Sequence, residues 1–276
     1  MIADCHVHMV LDGVDWKNSI ARGVDDKFIR STLQTYKDLG YTFLRDGGDR
    51  FGVSARARSL AESYGIRYRT PLSPLCKEGC YGSFIGTTWR DLSHYAALVK
   101  KQKEDGADFI KIMISGLMDF AQFGMLTQES LPAKEISELV HIAHEEGMSV
   151  MAHCNGTSAA IAAATAKVDS IEHGAYLHKE ALCAMEENET IWCPTVSTVG
   201  NLIGKGRFPD KETIRILDSF LENIDSYKGL LAPGSDAGAW EVPHGIQTEY
   251  TLLQQVFGEK TSEILEKGIA VIKEKF

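Results

Sequence analysis

Five times along this chain an amphipathic segment is followed by a glycine and then by a short run rich in apolar and β-branched residues. No other feature limits the fold as much. The glycines are Gly40 before Tyr41-Thr42-Phe43-Leu44, Gly65 before Ile66-Arg67-Tyr68, Gly106 before Ala107-Asp108-Phe109-Ile110, Gly147 before Met148-Ser149-Val150-Met151, and Gly229 before Leu230-Leu231-Ala232. Glycine ends helices because it adopts the left-handed conformation without steric cost, so each of these reads as helix, cap, turn, strand. Asn188 takes that place before Thr190-Ile191-Trp192-Cys193, Val168-Asp169-Ser170-Ile171 follows a helix without a cap, and Met1-Ile2-Ala3-Asp4 opens the chain. The total is about eight strands. Helical spacing fills the intervals: Phe28, Leu33, Tyr36 and Leu39; Ile136, Leu139, Val140 and Ala143; Ile214, Leu217, Phe220, Leu221 and Ile224. Alternation on this scale predicts an α/β fold, a (β/α)8 TIM barrel in one domain spanning 1–276, with a doubly wound open sheet as the competing arrangement.

Loop lengths carry a second, independent signal. Connections from helix to strand are two or three residues, whereas 71–90, 114–130 and 195–209 are long segments that follow strands. Long loops persist where they do something, and in a barrel they gather at the C-terminal ends of the strands. Lys111, His153, His173 and Asp236 each sit at the end of an apolar run, and with His6 and His8 they lie on or next to that face. Strand side chains alternate with period two, so His6 and His8 point the same way and can reach one cation. The segment 245–276 is helical in pattern and is expected to close the barrel.

Charge narrows the partner. A net charge of -9 and a pI near 5.5 argue against phosphate-tracking nucleic-acid binding and against a basic membrane patch, which leaves a small-molecule substrate. With no apolar run of roughly 18 residues and no signal pattern at the N-terminus, the expected location is cytoplasmic. A homo-oligomer is compatible with all of this. The six cysteines are scattered, and Cys76 and Cys80, the one close pair, read as free thiols in a loop. His94, His141 and His144 read as surface residues, and Cys154 as a small buried hydrophobe.

Five segments in order carry a resemblance: Asp4-Cys5-His6-Val7-His8, Phe109 through Gly116 around Lys111, Met151-Ala152-His153-Cys154-Asn155-Gly156, Ser170-Ile171-Glu172-His173-Gly174 and Gly234-Ser235-Asp236-Ala237-Gly238. Together they resemble the metal motifs of the amidohydrolase superfamily, nearest its binuclear dipeptidase and carboxypeptidase branch. The resemblance implies two divalent ions, commonly zinc. His6, His8 and Asp236 would hold one and His153 and His173 the other, with Lys111, carboxylated by CO2, as the bridge. An ammonium cannot ligate a cation, whereas a carbamate offers two anionic oxygens. The implied reaction is hydrolysis of a C–N amide-type bond, in an N-acyl amino acid, dipeptide or cyclic amide, by a metal-bridging hydroxide, with Asp236 as the catalytic proton carrier.

Departures from the family pattern bear on the substrate. The usual accessory β-sandwich domain is expected to be absent, because five residues precede His6. Ser115-Gly116-Leu117 replaces a common Ser-Gly-Gly, which opens the substrate class to lactones and phosphotriesters. Gly156 stands where the deaminase branch has a glutamate, which makes a deaminase less favoured. Three further residues are candidate substrate contacts, each with a structural alternative. Arg45 suits a carboxylate, or an ion pair with Asp46 or Asp49; Tyr176 suits a carbonyl or phosphoryl oxygen, or packing; His244 follows the eighth strand on the active face.

Overall fold

The computed structural model describes residues 2–276, and its strands are all parallel neighbours. They are β1 (Ile2–Val7), β2 (Tyr41–Asp46), β3 (Arg67–Arg69), β4 (Leu75–Lys77), β5 (Thr87–Trp89), β6 (Ile110–Met113), β7 (Val150–Cys154), β8 (Ser170–His173) and β9 (Ile191–Cys193). Hydrogen bonding orders them β1-β2-β3 and β5-β4-β6-β7-β8-β9. Two junctions turn these runs into a barrel. On one side Pro71 and Pro74, which lack an N–H, break the third strand position into β3, paired with β2, and β4, paired with β6 at Leu75–Ile112. The Asp108 backbone N–H donates to Thr70 O across the same seam at 3.0 Å.

The other junction is made by residues 230–237, which fill the eighth position. Trp192 N–H donates to Leu230 O at 2.8 Å, Cys5 N–H to Pro233 O at 2.8 Å and His8 N–H to Ala237 O at 2.7 Å, so the segment is bonded to both β9 and β1. The buried Asp4 carboxylate pins the same segment, accepting from Ser235 N–H at 2.9 Å and from Ser235 Oγ at 2.5 Å. The closed barrel expected from the alternation is therefore present.

Observed boundaries differ from expectation in one consistent direction. Strands begin later and run further, at Ile110 rather than Ala107, Val150 rather than Met148 and Ser170 rather than Val168, so His6, Lys111, His153 and His173 lie within strands rather than after them. Met1 lies outside the described residues. The segment 71–90 is not structureless, since it holds β4 and β5; a bridge joins Met118 to Leu126 within 114–130, and Ser197–Gly200 is a helical turn within 195–209. In helix Asp210–Ser226 the buried face is Thr213, Ile216, Leu217, Phe220 and Ile224, and Ile214, expected inside, is exposed.

The C-terminal helices Thr248–Phe257 and Thr261–Lys275 seal the barrel. At Gly268 a Cβ would meet Leu231 O at 1.9 Å, so only glycine lets this helix lie against the eighth position. Phe276 packs edge-on to Phe109 with ring centroids 5.2 Å apart. Among the described residues no helix is long and apolar enough to cross a membrane.

Candidate metal centre

The barrel mouth gathers the six residues from five strand positions. His6 in β1 and His8 just beyond it face one way, with Nε2 atoms 3.3 Å apart. Asp236 brings Oδ1 to 3.2 Å from His8 Nε2 and 3.5 Å from His6 Nε2. His173, the last residue of β8, has its ring centroid 5.0 Å from that of His6 and 4.5 Å from that of His153 in β7. Ligand atoms of His6, His173 and Asp236 lie within 4.8 Å of one another, and Lys111 of β6 lines the same cavity. A second group, His6, Glu172 and Cys193, lies close enough for a metal, but Glu172 there already serves protein donors.

Burial sets the charge states. It holds His6 and His173 well below the ordinary histidine pKa and His153 at about 3, with nearby positive charge, that of Lys111 included, acting in the same direction. These imidazoles are neutral and keep a lone pair for a metal. Each also has one nitrogen engaged by protein: His6 Nδ1 meets Glu172 Oε2 at 2.7 Å, His153 Nε2 meets Gly116 O at 3.2 Å, and His173 Nδ1 meets Thr195 Oγ1 at 2.8 Å. Such contacts fix which nitrogen is left for a ligand role.

Each of the remaining three groups has an unsatisfied atom, His8 at its Nδ1. Burial lowers the Lys111 amine to about 8, and its Nζ has no hydrogen-bond partner; Asp236 Oδ1 has none either. Buried polar atoms without partners are rare and costly, so a carbamate on the amine and a cation between the carboxylate and imidazoles fit this donor set. His173 and Asp236 also sit at positive φ, 67° and 56°, a conformation that costs energy for residues other than glycine and collects at functional sites.

The three expected substrate contacts fare differently. Arg45 is a correction: it is fully buried inside the barrel, where Nε donates to Cys5 O at 2.7 Å, Nη1 to Ser170 Oγ at 2.9 Å and Nη2 to Glu172 Oε1 at 2.8 Å. Its partner is Glu172, not Asp46 or Asp49, and no substrate reaches it. Tyr176 donates its hydroxyl to Asp119 O at 3.0 Å and packs on Phe123, outside the cavity wall. His244 contacts Tyr36 Oη at 3.1 Å and Leu11 O at 2.9 Å, so it supports the wall residue Leu11 from behind. His94 is half-buried rather than superficial, while His144 pairs with Asp169 at 2.9 Å. All six cysteines are free, with Cys76 on β4.

Sequence reasoning missed Glu172 and also Asn155. Asn155 joins three loops at the mouth, accepting from Ala175 N–H at 2.9 Å while its Nδ2 donates to Gly116 O at 3.1 Å and its N–H to Ser115 Oγ at 2.8 Å. Gly47 was missed too. A Cβ there would lie 2.4 Å from His8 Cε1, so Gly47→Ala must displace the ring. The expected result is metal affinity weaker by about 10- to 100-fold, measured by competition with a chelator in a folded variant. Unchanged affinity would remove His8 from the centre.

Above these residues opens a cavity of about 560 Å3, walled largely by Trp16, Tyr81, Phe84, Phe120, Phe208 and Trp240. The sequence pattern of the amidohydrolase family matches residues 2–210. No curated protein sequence matches the chain. Among solved structures it is similar to a Xaa-Pro dipeptidase with methionine bound in the active site (22% identity, 99% of this chain and 75% of that one, TM-score 0.80). It is also similar to ochratoxinase of A. niger (18%, 99% and 70%, TM-score 0.77) and to a prolidase complexed with N-methylphosphonate-L-proline (21%, 98% and 74%, TM-score 0.76). At these identities the likeness is one of fold.

Proposed function

The chain belongs to the amidohydrolase family, and from that premise we propose that it hydrolyses an amide-type C–N bond in a small molecule, an N-acyl amino acid, dipeptide or cyclic amide. His6, His8 and Asp236 would hold one divalent ion, His153 and His173 another, and Lys111, as its carbamate, would join them; zinc suits this mixture of imidazole and oxygen donors. The observation that supports this reading best is the buried Lys111 amine facing neutral imidazoles and a carboxylate with no hydrogen-bond partner of its own. The proposed setting is the cytoplasm.

When bound, such ions lower the pKa of water and withdraw charge from a carbonyl oxygen. Asp236 does the proton work. Its Oδ1, which no hydrogen bond engages, takes a proton from the attacking water as the C–O bond forms, then passes it to the amide nitrogen as the C–N bond breaks. A carboxylic acid and an amine leave. Glu172 keeps His6 Nδ1 protonated and its Nε2 directed at the mouth, and the aromatic wall excludes bulk water, which strengthens each electrostatic contact.

The test is metal removal. Protein purified with zinc should release amine from N-acyl amino acids or dipeptides, lose that activity on chelation and regain it on reloading. Because an ion held at a hundred times its Kd adds about 2.7 kcal/mol to stability, chelation should also lower the Tm. Full activity with a chelator present, or no bound transition metal, would end this reading.

A further inference from the structure

The cavity wall is mostly carbon, and among the described residues one arginine lines it. Trp16 packs edge-on to Phe84 with ring centroids 5.5 Å apart, and Tyr81 lies 4.8 Å from His153. On the opposite loops Phe120 stacks on Phe208 at 5.1 Å, and Phe208 meets Trp240 at 6.2 Å. Three separate loops thus contribute one apolar cluster, in which Phe120 and Phe208 stack and Trp240 stands edge-on to Phe208. A dipeptide of small residues would leave it uncovered.

Among the described residues Arg207 and Lys111 are the only lysine or arginine side chains in the wall, and Lys111 belongs to the proposed metal centre. The Arg207 guanidinium lies over the Trp240 ring at 3.7 Å and near Phe208 at 5.5 Å. Among the described residues it makes no ion pair and no hydrogen bond. The acid on the neighbouring loop, Glu241, is taken by Lys205 at 3.2 Å. Of the two acids in the wall, Asp236 belongs to the candidate metal centre and Asp119 uses Oδ1 to accept from Ala121 and Gln122 N–H groups. A guanidinium stacked by its face keeps its N–H edge free, and that edge matches a carboxylate.

Resting on the amide-hydrolase reading, we propose that Arg207 binds a free carboxylate on the substrate and that the aromatic wall takes a bulky apolar group. The substrate class is then an N-acylated amino acid anion bearing an aromatic or similarly bulky side. A cavity of about 560 Å3 suits a ligand of this size. Arg207 is a specificity-determining residue here, with no part in breaking the bond.

Binding can be read without turnover, using sulfonamides that resist hydrolysis. N-tosyl-L-phenylalanine, its methyl ester and N-tosylglycine are titrated calorimetrically into the metal-loaded protein. The free acid should bind about tenfold or more tightly than the ester, as expected of a charge-assisted contact, and more tightly than the glycine analogue. Arg207→Met should erase the preference for the acid while metal content and Tm stay unchanged, and Arg207→Lys should restore part of it. Equal binding of acid and ester, an acid preference that survives in Arg207→Met, or binding of none of the three overturns the carboxylate site; equal binding of the phenylalanine and glycine acids overturns the apolar half. Arg207-dependent binding with no amide ever cleaved would leave the site standing and defeat the hydrolytic reading instead.

Discussion

Lys111→Met is expected to have two opposite effects, which separate a metal bridge from an ordinary buried lysine. It should destroy metal-dependent hydrolysis, lowering kcat/KM by about a thousandfold or more, because methionine supplies no anionic oxygen to either ion. It should also raise the Tm of the metal-free protein. In that state Nζ is buried with no hydrogen-bond partner, and burial lowers its pKa from 10.5 to about 8. The charged form is therefore disfavoured in the folded chain by about 3 kcal/mol. The cost is fully present below pH about 8, where folded and unfolded states are both protonated, and it fades as pH rises towards 10.5. The stabilisation by methionine should follow the same course. Thermal melts of both metal-free proteins at pH 7 and pH 10, with metal content measured alongside, check it. A variant that keeps its metal and activity, or that is less stable at pH 7, would leave Lys111 without the bridging role.

The candidate site was legible because Lys111, His153, His173 and Asp236 each end an apolar run and are followed by loop residues, a pattern that depends on local order alone. The third strand position was not, since Pro71 and Pro74 break it into pieces of three residues and each piece is too short to show a period. Arg45 was misread for a related reason. A charged residue closing a strand is normally a rim residue, but this one is turned inward by Glu172, 127 positions away. No spacing rule reports a contact at that separation. The aromatic wall escaped for the same cause: its members come from different loops, have no common periodicity and become a surface only when the barrel brings the loops together.

Beneath the candidate metal residues, Arg45 and Glu172 should account for the second large effect. Both are fully buried, and Glu172 divides its carboxylate: Oε2 takes His6 Nδ1 at 2.7 Å, while Oε1 takes Arg45 at 2.8 Å and Ser170 Oγ at 2.6 Å. Arg45→Met strands a buried anion, which costs about 3 to 5 kcal/mol, a fall in Tm of roughly 6 to 20 °C for a chain of this size. Glu172→Gln keeps the shape but removes the charge that holds the His6 tautomer, so metal affinity should drop by about 10- to 100-fold. The double variant Arg45→Met/Glu172→Leu separates the two roles. With neither charge left to desolvate, it should recover much of the stability that Arg45→Met loses, because an apolar replacement of a buried pair is often neutral. Metal affinity should stay low in it, since His6 still lacks an acceptor. If the double variant binds metal as tightly as the parent, the carboxylate stabilises the barrel and does nothing for the ligand above it.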